Sequence, residues 1–271
     1  MSDIAFTIGS FSIKWYSLLI VIGVLIAYFL IARESNRFNI KQDFVFNMLF
    51  WTIIFGILGA RIYYVLFNLE YYKDNLSEIY KIWNGGIAIH GAIIFGFITI
   101  LIYCKKYKAS LGRMLDILVP GLLIAQAIGR WGNFFNHEAY GSIISYTKLI
   151  DMKIIPQFIV DNMYINGAYH LPMFYFESLA CLLGFIIILF FRRRTYVKVG
   201  QTTAFYLIWY GFIRVFIESY RTDSLMLGSA RVAQIVSVLM IVIGFIVMLI
   251  QSKKPRLDEL YNSKDVDEVK F

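Results

Sequence analysis

Apolar residues in this chain run in nearly continuous stretches of membrane length, not in the alternating or three-and-four spacing of half-buried elements. Seven such stretches stand out, at roughly 15–32, 44–67, 86–104, 114–129, 173–191, 201–220 and 232–250. About 20 apolar residues at ~1.5 Å each cross a hydrocarbon core. The pattern therefore predicts an all-α integral membrane protein with seven transmembrane helices. The fourth stretch is the weakest, because Asp116 and Pro120 interrupt it. Residues 136–172 form the longest segment between spans and predict a small head, since a bare connector of that length is uncommon. The tail 253–271 mixes both charge signs and reads as a solvated end. The stretch before the first span holds Asp3 and a single base, Lys14, and no small-residue cleavage site follows, so that span reads as a retained helix and not a signal peptide. There is no long-period repeat.

Composition agrees with the pattern: 59% of the 271 residues are hydrophobic, 16% are charged, and the mean hydropathy is +0.65. The net charge of +8 would suit a nucleic-acid partner, but the bases are placed otherwise. Loops 33–43, 105–113 and 192–200 hold 11 Lys/Arg in 29 residues, whereas 1–14, 68–85, 130–172 and 221–231 hold 8 in 86. That asymmetry is the positive-inside bias of a membrane protein. It excludes nucleic acid as the reason for the charge, and predicts an outside N-terminus and an inside C-terminus. Cys104 and Cys181 both fall in apolar segments and read as packing residues, not as a disulfide or zinc framework.

Ionisable residues within membrane segments are costly and mark functional sites by default. Here they are Arg61, His90, Asp116, Glu177, Arg214 and Glu218, with Arg130 at the end of the fourth stretch. Given the predicted orientation, all but Asp116 fall at one depth, in the outer half of the membrane. Asp116 reads as a helix-start residue near the inner face. Each of the others has a second reading. Arg214 and Glu218, four apart on one helical face, neutralise each other. Arg61 snorkels to the headgroups. His90 is a satisfied core histidine, Glu177 a buried hydrogen-bonding acid, and Asn133, Asn136 and Glu138 order a loop. The shared depth favours a site, and arginine forks match phosphate oxygens. An anionic phospholipid headgroup is the ligand available at that level. Glycines in "NGG", "HGA" and "GRWGN" permit close backbone approach to a ligand. His90, His137 and His170 form no ligand motif, and no Gly-x-Ser-x-Gly elbow is present, so neither metal nor cofactor is expected.

The stretch "GRWGNFFNHEAYG" (129–141) resembles the signature of the prolipoprotein diacylglyceryl transferases, Gly-Arg-x-Gly-Asn-Phe-x-Asn-x-Glu-x-x-Gly, at every fixed position. The blocks "IKWYSLL", "GARIYYVLF", "IWNGGIAIHGA" and "YGFIRVFIESYRTD" followed by "RVAQIVS" are similar to the same family in order and spacing. The resemblance implies a bacterial cell-membrane enzyme that moves the diacylglyceryl group of phosphatidylglycerol onto the lipobox cysteine of a prolipoprotein signal peptide, with its site toward the outer leaflet. It implies catalytic roles for His90, Arg130 and Arg214. It also implies substrate contacts from Arg130, Asn133, Glu138, Gly141, Tyr16, Arg61, Tyr210, Glu218 and Arg221.

Three positions depart from the family pattern. "HLPMFYFES" leaves Phe176 where the family has a tyrosine, with Tyr175 about 100° away on a helix. Ala92 follows "HG" where a second glycine is commoner, and Asn84 replaces a frequent aspartate. A transporter would also carry intramembrane charges, but the chain lacks an inverted repeat. A retinal-type receptor needs a lysine within 232–250, and there is none. A non-catalytic lipid-binding relative remains the third alternative.

Overall fold

The computed structural model describes all residues except 1, 2, 10, 223–225, 229, 256, 258, 264–268 and 270. Asp223, which ends one of the family-like blocks, and part of the 253–271 tail lie outside the described residues. A hairpin of β1 (Ile4–Ile8) and β2 (Phe11–Lys14) leads straight into α1 (Trp15–Asn36). Then come α2 (Gln42–Leu66), α3 (Leu69–Asp74), two 3₁₀ turns at Leu76–Glu78 and Ile82–Asn84, α4 (Ile89–Lys106) and α5 (Leu111–Asn136). Two short helices, α6 (Tyr146–Asp151) and α7 (Gln157–Asn162), precede the hairpin β3 (Tyr164–Ile165)–β4 (Ala168–Tyr169). The chain continues as α8 (Met173–Phe191), α9 (Gln201–Tyr220), the hairpin β5 (Met226–Leu227)–β6 (Ala230–Arg231) and α10 (Val232–Lys253).

Six helices, α1, α2, α4, α5, α8 and α10, are long and apolar enough to cross a membrane. The seventh expected span, 201–220, forms a helix over its whole range as α9 but is not one of the six. Its composition explains this: Gln201, Thr202 and Thr203 open it, and Arg214 and Glu218 sit near its end. The weakest expected span became the longest helix. α5 runs through Pro120 and continues to Asn136, so the stretch Gly129–Asn136 is helical. A proline at membrane depth is tolerated where neighbouring groups re-satisfy the freed carbonyl. The helix stops at His137, whose φ of 52° is the left-handed conformation of a helix terminator.

The described chain forms two compact units. The first comprises Met1–Leu30 and Leu115–Ser263, the second Ile31–Met114 and Lys264–Phe271. In the first, glycines bring helices into close contact, the arrangement that van der Waals packing in lipid favours. A Cβ on Gly211 of α9 would fall 2.8 Å from Ser237 O of α10, and one on Gly244 would fall 2.8 Å from Ala204 O. Gly184 of α8 lies under the Trp209 indole, whose Nε1 donates to Ala180 O at 3.0 Å. Asp116 is fully buried and does more than start a helix. Its carboxylate accepts from Gly200 N (2.6 Å), Thr203 N (2.8 Å) and Thr203 Oγ1 (2.6 Å), and so caps the first turn of α9 from α5.

Residues 136–172 fold on a cluster of Phe134, Leu149, Ile155, Ile159, Val160, Met163 and Phe174. The charged tail, expected to be solvated, is docked over its described part up to Ser263. Tyr261 is fully buried, its N–H donates to Val197 O (2.8 Å), and Val199 N donates to Glu259 O (2.9 Å). The buried Lys198 ammonium donates to the carbonyls of Lys254 and Pro255. Apolar burial of one tyrosine outweighed the solubility of its charged neighbours.

In the second unit α2 crosses α4 at two glycines. A Cβ on Gly91 would fall 2.2 Å from Gly59 O, and one on Gly59 would strike the Phe95 ring. Phe44, Tyr103, Tyr107 and Phe271 form an aromatic cluster with centroids 4.9 to 5.8 Å apart.

Candidate functional site

A dense set of charges in the first unit is centred on Glu177 of α8. Only 2% of this residue is exposed, and three side chains reach its carboxylate. Arg130 Nη2 of α5 lies 2.9 Å from Oε1. Arg214 Nη1 of α9 lies 3.2 Å from Oε2. The Tyr210 hydroxyl of α9 donates to Oε1 at 3.2 Å and accepts from Arg130 Nη2 at 3.3 Å. Arg214 uses its other nitrogen, Nη2, on Glu218 Oε2 at 2.6 Å. Arg221 Nη1 stands 3.8 Å from the same oxygen, and Arg231 donates to the Glu218 backbone carbonyl. Three guanidiniums, of Arg130, Arg214 and Arg221, thus surround two carboxylates, an excess of one positive charge within this set.

The placement follows from helical spacing. Tyr210, Arg214 and Glu218 are successive i,i+4 positions on α9 and share one face. Arg130 comes from α5 because that helix runs on past Gly129. Among the described residues the polar contacts of Arg130 are made through Nη2, and its side chain is 21% exposed, an arrangement compatible with an anion on the rest of its fork. Burial in a low-dielectric setting strengthens such a contact.

The other expected residues are distributed as follows. Tyr16 packs its ring on Gly132, where a Cβ would sit 2.5 Å from Cδ2. The glycine of "GRWGN" thus admits a side chain of this chain. Asn133 offers its backbone carbonyl to Glu138 N at 3.0 Å, and the Glu138 side chain is exposed. Gly141 bridges to Arg221 in antiparallel fashion, and its carbonyl lies 2.8 Å from His170 Nδ1. Tyr175, weighed as a stand-in hydroxyl for Phe176, instead donates to Ile154 O at 2.9 Å.

Two expected site residues belong to the second unit. His90 lies in the first turn of α4, half-buried, with its ring stacked on Tyr63 at 6.0 Å. Arg61 is buried, and its donors go to backbone carbonyls: Nε to Ile79, Nη1 to Gly85 and Gly86, and Nη2 to Glu78, at 2.6 to 2.8 Å. The "NGG" glycines have φ of 84° and 74°, and they turn their carbonyls onto this guanidinium. A cavity of about 420 Å³ opens here among Arg61, Tyr64, Tyr71, Tyr72, Glu78 and Asn84. Beside it Glu78 is held below the usual carboxylate range, chiefly by its hydrogen bond from Lys81 and then by that from Asn84.

The sequence marks Glu177 as one of the intramembrane charges but does not make it the hub. A glutamate on an apolar helix signals burial, whereas its partners emerge only when α5, α8 and α9 are packed. Among the described residues no group of three His, Cys, Asp or Glu side chains could hold a metal ion.

Comparison with known proteins adds an independent line. A family model described as prolipoprotein diacylglyceryl transferase matches residues 3–250. Proteins named phosphatidylglycerol–prolipoprotein diacylglyceryl transferase are similar over most of the chain. The one from Staphylococcus xylosus is 46% identical over 257 residues, covering 94% of this chain and 91% of its own. That from Staphylococcus haemolyticus is 49% identical over 247 residues, covering 90% and 86%. That from Listeria innocua is 44% identical over 265 residues, covering 98% and 94%.

Proposed function

The chain belongs to the prolipoprotein diacylglyceryl transferase family, and from that premise we propose that it transfers the diacylglyceryl group of phosphatidylglycerol to the lipobox cysteine thiol of prolipoproteins. This is the first step of lipoprotein maturation in the bacterial cell membrane. The thiol sulfur attacks the glycerol carbon that carries the phosphate. A C–S bond forms, the C–O bond breaks, and glycerol phosphate leaves with the bonding electrons. The thiol proton goes to a base, for which His90 is the candidate, since a thiol is a weak nucleophile until deprotonated. The substrate supplies its own sulfur, so the buried Cys104 and Cys181 are not needed as nucleophiles.

The single observation that carries the assignment of roles is the Arg130–Glu177–Arg214 set. Arg130 binds the lipid phosphate through the part of its fork that Glu177 does not take. Arg214 adds positive charge beside it, and both oppose the charge that grows on the leaving phosphate. Glu177 and Tyr210 fix Arg130, and Glu218 fixes Arg214. Tyr16, Asn133, Glu138, Gly141 and Arg221 surround the substrates from the same unit. Arg61 shapes the 76–86 turn region. The site faces the outer leaflet, with seven spans, the N-terminus outside and the C-terminus inside. Membrane lipids surround the spans, and no nucleic acid takes part.

Reconstitution tests the reading. The protein is placed in phosphatidylglycerol liposomes with a synthetic lipobox peptide, and the intact mass of the peptide is followed. The expected result is a gain of one diacylglyceryl group, absent when the peptide cysteine is serine and in the Arg130→Ala variant. No gain while phosphatidylglycerol still binds would make the protein a lipid-binding relative and overturn the transferase reading.

A further inference from the structure

One helical turn from Arg130, on the same face of α5, stands Gln126. Its Nε2 donates to the Tyr206 hydroxyl of α9 at 3.0 Å. Tyr206 is in turn one helical turn from Tyr210. The two phenol rings are parallel, 4° apart in plane, with centroids at 5.7 Å. α5 and α9 are therefore laced by two rungs with the same spacing. The upper rung is Arg130 to Tyr210 and the lower is Gln126 to Tyr206. The lower rung has no part in the proposed phosphate binding or proton transfer.

The geometry of the upper rung needs something to hold it. The Tyr210 oxygen has two partners, Arg130 Nη2 and Glu177 Oε1, both beyond 3.1 Å. Bonds of that length restrain a phenol weakly. The Tyr210 ring turns about two side-chain torsions, and its hydroxyl stays between guanidinium and carboxylate only while the ring is confined. Tyr206 covers one face of that ring. Tyr206 can do so because its own far end is tied to α5 through Gln126. Gln126 itself carries a cost: its Oε1 is buried and has no hydrogen-bond partner among the described residues. A buried polar atom without a partner is unfavourable, and more so in lipid. An apolar side chain at 126 would avoid that cost, so the amide is there for what its Nε2 does.

We propose that Gln126 and Tyr206 are positioning residues of the transferase. They hold the Tyr210 ring so that its hydroxyl fixes Arg130 against Glu177. The inference rests on the transferase reading, and it adds a pair of residues that touch neither substrate.

The test uses the full chain in phosphatidylglycerol liposomes with the lipobox peptide. The wild type, Tyr206→Phe, Gln126→Leu, Tyr210→Phe and the double variants are compared. Tyr206→Phe keeps the stacked ring and removes one oxygen, so it preserves the fold. The expected result is a ~10-fold fall in kcat for Tyr206→Phe and for Gln126→Leu, below the ~10²–10³ of a direct donor, with KM for the lipid within about twofold. The effect should vanish in context. Tyr206→Phe combined with Tyr210→Phe should be no slower than Tyr210→Phe alone, because Tyr206 acts through Tyr210. A merely structural role would lower thermal stability and the yield of active protein without this non-additivity. An active wild type whose variants keep full kcat, or whose losses multiply in the Tyr210→Phe background, overturns this proposal alone. An inactive wild type overturns the transferase reading and this proposal with it.

Discussion

At the scale of single residues, the site is a problem in placing like charges together. Arg130 and Arg214 lie on either side of Glu177, which is nearly inaccessible to solvent. Two guanidiniums so close repel each other unless a carboxylate stands between them. Glu177→Gln keeps the shape and removes that charge. The expected cost is about 3–5 kcal/mol of stability, as for other buried ion pairs that lose one partner, with at least a ~10²-fold fall in diacylglyceryl transfer. Thermal unfolding and the peptide mass assay check the two effects. A variant as stable and active as the wild type would remove Glu177 from the site. The charges were legible in the sequence: a charge on an apolar stretch is costly enough to flag itself, and the predicted orientation gives Arg130, Arg214 and Glu218 a common depth. Lateral convergence was not legible. Depth along a helix follows from counting residues, whereas the facing partner depends on how three helices rotate against each other. Arg61 shows the converse. It carried the same signal at the same expected depth, yet its donors go to backbone carbonyls in the second unit.

At the scale of elements, two polar contacts set where helices and turns begin. α9 starts at Gly200, whose φ of 91° suits glycine, and its first free N–H groups point at Asp116 of α5. Asp116→Ala leaves those donors unpaired in a buried position. The expected loss is about 2 kcal/mol, the range of a charge-assisted cap. It should show as a lower unfolding midpoint and faster proteolysis in 195–203. Thr203→Val tests the same contact from the other side and should cost less, because only one of the three donors is removed. The 76–86 segment is held differently, by the Arg61 guanidinium on its carbonyls and by Glu78 with Lys81 and Asn84. The folded glutamate titrates below its ordinary 4.5, so its contribution is complete above that value and disappears as pH falls through the lower, folded one. Hydrogen exchange of the amides in 76–86 should therefore be flat from neutral pH to about pH 5 after correction for intrinsic rates, and rise only once the pH falls below the ordinary carboxylate range. Glu78→Gln should abolish that dependence. Element existence was readable from hydropathy, because each long apolar run has one stable state in lipid. The extent of α5 was not. The glycines and asparagines of its end look like loop residues, whereas that end is helical and packed, with Tyr16 on Gly132 and Phe135 on Trp15.

At the scale of the molecule, the question is how many times the chain crosses. Hydropathy alone supports six crossings, and α9 falls short because it carries the charges of the site. Contacts within the first unit supply a parity argument that hydropathy does not. Val199 N and Val197 O, just before α9, pair with Glu259 O and Tyr261 N, just after α10. Two points of the chain that hydrogen-bond to each other outside the apolar spans are expected on the same side of the membrane, with an even number of crossings between them. α10, with a mean hydropathy of 2.8 over its most apolar window, crosses. The expectation from this parity is that α9 crosses as well. The bridge of Gly141 to Arg221 predicts the same parity for α8 and α9. The excess of Lys/Arg in 192–200 carries the proposed orientation, which puts that loop and the tail inside and Gly141 and Arg221 outside. Single cysteines introduced at Thr147 and Thr195, both exposed, test this in a background where Cys104 and Cys181 are serine. In intact cells, a membrane-impermeant maleimide should label position 147 at once, and position 195 only after permeabilisation. Labelling of both from outside would mean that α8 does not cross, and would break the parity argument. Labelling of 195 alone would invert the orientation and place the Arg130–Glu177–Arg214 set in the inner leaflet.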